Sequence, residues 1–256
     1  MTYFDAIILG VVEGITEFLP ISSTGHLILA GELLGLPSTE FLKSFDIAIQ
    51  LGAILAVVAL YWRSLFDIEM IKKLAVAFIP TGIIGFALYY VVKTILLDNL
   101  YVVLISLALG GIALIVFELS HKEAPASDVL KYDISYRQAA GIGTFQALGM
   151  IPGISRSGAT IVGGLLLGLP RKTIVEFSFL LAVPTMAAAT GYDLMKNADL
   201  LSFENIGVLA VGFVVSFVVA LAAIRWLLSY VRTHTFIPFG VYRILAALVF
   251  WLVILI

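Results

Sequence analysis

Two short stretches carry the residues able to do chemistry: Glu13-Gly14-Ile15-Thr16-Glu17, followed by Ser22-Ser23-Thr24-Gly25-His26, and, far along the chain, Ser155-Arg156-Ser157-Gly158. Both sit in strongly apolar surroundings. On a helix, Glu13 and Glu17 share one face, one turn apart. Such carboxylates repel unless a cation lies between them, and all-oxygen ligation suits Mg²⁺ or Ca²⁺. The plain alternative is a protonated or hydrogen-bonded structural glutamate. Ser22, Ser23 and Thr24 read first as an N-cap. A helix start in a low-dielectric setting is also an anion site, because free N–H groups and the positive dipole end face the ligand. His26 could activate a neighbouring hydroxyl or protonate a leaving group. Arg156 cannot shed its charge, and its planar fork matches phosphate oxygens. Ser155 and Ser157, flanked by Gly153 and Gly158, make the second stretch look like an anion cradle rather than half of a structural ion pair.

The elements that must position these residues are helices in a membrane. Hydrophobic residues form 61% of the 256 and charged residues 12%, and the mean hydropathy is +1.11. A soluble core cannot absorb that much apolar surface. Net charge is −2, which gives no sign of a nucleic-acid partner. With no cysteine, disulfides, thiolate metal sites and cysteine nucleophiles are excluded. The N-terminus lacks the basic start of a cleavable signal peptide. The expected fold is an all-α polytopic membrane protein, with 1–256 as a single membrane domain. Six transmembrane helices are expected, at roughly 44–62, 74–92, 98–118, 176–195, 204–230 and 238–256. Residues 4–36 and 137–169 are apolar but broken at their middles by Pro, Ser and Gly. Each arm, about 14 residues, gives roughly 20 Å of helix, short of the roughly 30 Å hydrocarbon core. Irregular backbone at that depth survives only when buried in protein or lining a wet cavity. Both regions therefore read as re-entrant helix–loop–helix hairpins.

The hairpins are related to each other. An offset of 133 pairs Ala6 with Ala139, Gly10 with Gly143, Ser22 with Ser155, Gly25 with Gly158 and Gly31 with Gly164. It also pairs Leu33-Leu34-Gly35-Leu36-Pro37 with Leu166-Leu167-Gly168-Leu169-Pro170, while Glu13 meets Gln146. This implies a duplication, with repeat one at 1–120 and repeat two at 134–256. One hairpin plus three spans puts the second half on the opposite side, so the expected architecture is an inverted-topology repeat with both hairpin tips near the midplane. Such repeats also occur in transporters, with the site at the repeat interface. Loops on one side hold Arg63, Lys72, Lys73, Lys122, Lys131, Arg137, Arg171, Lys172 and Arg232, against Lys43, Lys93 and Lys196 on the other. That bias makes the first set cytoplasmic. Both termini and the site opening are then expected on the outer face. Glu118, Arg225 and Arg243 lie near expected span ends, where long side chains snorkel. Glu32, Asp46, Glu176 and Asp193 could line a cavity or cap helices, and His121 and His234 are expected in solvated loops.

The run from Glu13 to His26 closely resembles the Glu-xxx-Glu and Ser-Ser-Thr-Gly-His signature of undecaprenyl-diphosphate phosphatases of the bacitracin-resistance type. Pro152-Gly153-Ile154-Ser155-Arg156-Ser157-Gly158-Ala159-Thr160 is similar to that family's second signature. Order, spacing and hydropathy agree along essentially the whole chain, which is short for the family. The resemblance implies a divalent-cation-dependent integral membrane phosphatase of the bacterial cell (inner) membrane. It would remove the terminal phosphate of a C55 polyprenyl diphosphate and recycle the carrier lipid for peptidoglycan, with bacitracin resistance when abundant. Diphosphate hydrolysis needs charge neutralisation, an in-line nucleophile and a leaving-group acid. Arg156, Ser155, Ser157, Ser22 and Thr24 would hold phosphate, and Glu13 and Glu17 the metal, or one of them would serve as base. Ser23 is the candidate nucleophile with His26 as base or acid; His26 itself or a metal-activated water stays open. The lipid tail would lie along apolar walls between spans, among membrane lipids. A polyprenyl-phosphate transporter or flippase is the alternative reading. Gly-rich faces could pack within the chain or between copies, which leaves a homodimer open.

Overall fold

Apolar runs long enough to bury all their backbone polar groups internally become helices, and the computed structural model is helical throughout its described residues, 1–91, 95–96, 99–121, 134–196 and 206–255. In chain order the helices are α1 (Tyr3–Thr16), α2 (Ser23–Leu33), α3 (Glu40–Leu65), α4 (Ile68–Val91), α5 (Leu100–Ser120), α6 (Tyr136–Gln146), α7 (Arg156–Leu166), α8 (Arg171–Lys196), α9 (Ile206–Tyr230) and α10 (Ile237–Leu255). A 3₁₀ turn, Ala147–Met150, extends α6. Five of these helices, α3, α4, α5, α8 and α9, are long and apolar enough to cross a membrane. The chain is thus a multi-pass membrane protein. The apolar core of α10 is shorter, at Ile237–Val253. Lys122 and Lys131 lie outside the described residues, as do the side chains of Lys93, Asp193 and Lys196.

Local features recur at a fixed spacing. α2 and α7 begin and end 133 residues apart. Thr2 with Asp5, and Ser135 with Gln138, form capping boxes at the starts of α1 and α6. Each box satisfies two otherwise orphaned helix-start donors. Among the described residues, the non-glycine positions with positive φ are Ser22 (74°) and Ser155 (78°). Gly35 and Gly168 take the positive φ that ends α2 and α7 in open space, a backbone conformation that strains any residue bearing a Cβ.

Packing repeats the pattern. α1 lies against α9 as α6 lies against α4, while α5 pairs with α10 and α3 with α8. The α1–α9 approach depends on Gly10, where a Cβ would stand 2.7 Å from the Gly212 carbonyl oxygen. Gly143 meets the Ala77 carbonyl in the same close manner. The buried core runs beneath both helix breaks and includes Phe18 against Phe179, edge to face at 5.2 Å.

Two side chains expected to snorkel do not. Glu118 is buried and paired with Arg171, and it accepts the Phe236 N–H at 3.1 Å. α5, α8 and the start of α10 converge there, and the ion pair together with the Phe236 N–H offsets part of the cost of burying this carboxylate. Arg243 is 2% exposed, held by main-chain carbonyls described below. Arg225 remains exposed. His234 is exposed and stacks on Tyr230, while His121 is half-buried and stacks on Phe117.

Candidate active site

The starts of α2 and α7 face each other across a cavity of about 260 Å³. Its walls include Glu17, Ser22, Ser23 and Thr24 from the first break, and Gly149, Pro152, Gly153, Ser155 and Arg156 from the second. Gln50 of α3 and Met186 and Ala189 of α8 close it.

Each break leans on the helix start of the other. Ser157 Oγ donates to the Leu19 carbonyl at 2.7 Å. A Cβ on Gly158 would lie 3.5 Å from Pro20, and one on Gly25 would lie 3.7 Å from the Gly153 Cα. These glycines and hydroxyls let two irregular backbones meet without burying orphaned polar groups.

Inside the cavity one charge-assisted chain links the two stretches. Arg156 Nη2 donates to Glu17 Oε1 at 3.0 Å, and Ser23 Oγ donates to Glu17 Oε2 at 2.5 Å. Arg156 Nη1 is anchored on the Ser178 carbonyl at 2.9 Å. Arg156 Nε is buried without a partner. The N-caps differ. Ser155 Oγ accepts the Gly158 N–H at 3.1 Å, but Ser22 makes no side-chain cap. The first N–H groups of α2 therefore have no side-chain cap from Ser22.

Glu13 lies one turn behind Glu17, 0% exposed, with both carboxylate oxygens unpartnered. Glu17 and Asp46 stand close enough for their charges to bear on it. Asp46 Oδ1 is likewise buried and unpartnered. His26 is held from both ring nitrogens. Its Nδ1 contacts the Ser22 carbonyl at 2.7 Å and its Nε2 the Tyr242 hydroxyl at 2.8 Å. A carbonyl only accepts, so Nδ1 carries the proton and Nε2 accepts from Tyr242.

The structure thus gathers Glu17, Ser22, Ser23, Thr24, Ser155 and Arg156 at one cavity, with Ser157 bracing it and Glu13 and His26 just behind. Gln50, Ser178 and Tyr242 carry no motif in the sequence. Arg243 reads there as a snorkelling side chain, although its counterpart 133 residues earlier, Gly110, leaves room for an inward side chain.

An apolar exterior folded round a cavity of opposed carboxylate, hydroxyl and guanidinium groups defines a multi-pass membrane protein with an internal polar centre. Known proteins narrow the class: the family model described as bacitracin resistance protein BacA matches residues 6–249, and the chain belongs to that family. Three relatives are each named undecaprenyl-diphosphatase. The protein of Sulfurihydrogenibium sp. (strain YO3AOP1) is 54% identical over 98% of this chain and 99% of its own length. That of Wolinella succinogenes is 55% identical over 98% and 97%. That of Aquifex aeolicus is 52% identical over 98% of both chains.

Proposed function

We propose that this chain is an integral-membrane hydrolase that cleaves undecaprenyl diphosphate to the monophosphate and inorganic phosphate, returning the carrier lipid to cell-wall synthesis. The observation that carries the reading is the Ser23–Glu17–Arg156 chain at the cavity wall. Ser23 Oγ attacks the terminal phosphorus as Glu17 accepts its proton. The bond to the bridging oxygen breaks, and undecaprenyl phosphate leaves. Water then hydrolyses the phosphoserine, and the proton returns to Ser23. Arg156 and the free N–H groups of α2 neutralise charge developing on the phosphoryl oxygens. Ser155, Thr24 and Gln50 border the same volume. His26 fixes Ser22 and, through it, the start of α2.

A divalent cation fits beside this chain. Glu17 has both oxygens engaged, whereas Glu13 and Asp46 retain buried, unpartnered oxygens of the hard type that Mg²⁺ or Ca²⁺ prefers. Among the described residues no three His, Cys, Asp or Glu side chains gather at ligand spacing, so phosphate and water would complete the shell. When bound, the cation would offset diphosphate charge.

The architecture we infer is an inverted repeat, 1–120 and 134–256, with six spans and two re-entrant hairpins. Its support is the recurrence of capping boxes, positive-φ serines and helix bounds. Membership of the family supports a location in the bacterial cell membrane, and the distribution of basic residues favours both termini outside with the cavity opening outward. The deciding experiment is phosphate release from a polyprenyl diphosphate by the purified chain in lipid. Activity is expected with Mg²⁺ or Ca²⁺ and lost on chelation; no release with either metal sinks the reading. A terminal reporter found in the cytoplasm would reverse the orientation.

A further inference from the structure

Adjacent residues on α10, Tyr242 and Arg243, reach both helix breaks from outside the cavity. Arg243 donates from Nη1 to the Pro20 carbonyl at 3.2 Å and from Nη2 to the Gly153 carbonyl at 2.8 Å. It also donates to Leu107 and Ser106 of α5, at 3.2 and 3.4 Å. All four contacts are main-chain carbonyls. Pro20 and Gly153 stand 133 residues apart, at corresponding places in the two stretches. The position corresponding to Arg243 itself is Gly110, and a Cβ there would collide with the guanidinium. One arginine therefore fills a volume that the two halves share, and one planar fork serves both breaks.

Tyr242 works on the first break alone. Its hydroxyl donates to His26 Nε2, and the two rings stack with centroids 5.5 Å apart. His26 in turn holds the carbonyl of Ser22, a residue at φ 74° that strain would otherwise relax. Ser23, next in the chain, carries the reacting hydroxyl. On the other side of the cavity, Gly153 is part of the wall. Neither Tyr242 nor Arg243 lines the cavity, and the Arg243 guanidinium is spent on main-chain carbonyls.

We infer that Tyr242 and Arg243 are positioning residues that hold the Ser23 and Arg156 breaks in register for phosphoryl transfer, an inference that rests on the hydrolase reading above. Groups that act this way alter turnover more than substrate binding. Displacing a reacting group by about 1 Å costs on the order of 100-fold in rate.

The test uses the full chain in lipid nanodiscs with a polyprenyl diphosphate. Arg243→Met is expected to lower kcat about 100-fold, and Arg243→Lys and Tyr242→Phe about tenfold, with KM within about twofold of the parent. The cysteine-free sequence permits a second readout. Cysteines introduced at Ile15 and Leu148, exposed and 133 residues apart, carry spin labels whose separation reports the two breaks. A narrow distance distribution in the parent should broaden in Arg243→Met. Should Arg243→Met not fold, Arg243→Lys and Tyr242→Phe decide on kcat. Parent-like kcat in those two variants overturns the inference. So does a fall in kcat without broadening, or a rise in KM alone. If the parent itself releases no phosphate, the hydrolase reading fails, while the distance measurement still tests the clamp.

Discussion

At the start of α2 and again at the start of α7, the chain follows the same path, yet only one of the two stretches carries the acids. Ser22 and Ser155 share a positive φ, and the helices that follow have equal length. Where the first stretch has Glu13, Glu17, Ser23 and His26, the second has Gln146, Met150, Arg156 and Ala159. Gln146 Nε2 donates to Thr81 and Thr185 at 3.0 and 3.1 Å, whereas Glu13 has no partner for either oxygen. The two stretches supply two helix starts, while the divergent side chains put the Glu17 carboxylate and the Ser23 hydroxyl on one and the Arg156 guanidinium on the other. Two similar helix starts can thus build a site of unlike groups, with the carboxylate on one stretch and the guanidinium on the other.

That division can be broken first at its centre. Arg156→Ala and Ser23→Ala, taken from opposite sides of the cavity, should each lower kcat about 1,000-fold, the scale of losing one group aimed at the transition state. Steady-state phosphate release measures it, and a loss in only one of the two variants would mean the halves do not act together. Glu13→Gln makes the first stretch copy the second at that place. It should reduce activity about 100-fold at fixed Mg²⁺, with part of the loss recovered at higher metal in a titration. Parent activity at all metal concentrations would remove Glu13 from the cation site. Gln50→Ala should cost about tenfold, mostly in KM, since it deletes one neutral hydrogen-bonding group from the wall. The smallest effect concerns the caps. Ser155→Ala removes a cap bond worth about 1 kcal/mol, and Ser22→Ala removes none, so thermal unfolding in detergent should fall for the former only.

Most of this was legible in the sequence, for definite reasons. The apolar runs of α3, α4, α5, α8 and α9 announce helices because lipid leaves the backbone no other way to pair its polar groups. The breaks were visible because Pro20 and the Pro152-Gly153 pair interrupt such runs. The glutamates, Ser23 and Arg156 stood out as polar groups where polarity is costly. Partners that matter only through space were not legible. Gln50 looks like any residue of a long helix, and the Ser178 contact is made by a main-chain carbonyl that no side-chain pattern encodes. Glu118 and Arg243 sit near helix ends, where long side chains usually reach water, and only the convergence of other helices denies them that route. His26 shows a different limit: its contact with the Tyr242 hydroxyl, 216 residues away, leaves no trace in the sequence around it.

The collision between Gly110 and the Arg243 guanidinium has a consequence for any mutational survey of this chain. The space between α5 and α10 admits one bulky occupant, so the two positions behave as a single locus with two addresses. A library randomised at both and selected for folding should reject pairs that are bulky at both positions. Selection for activity should in addition keep the arginine at 243, with glycine opposite it.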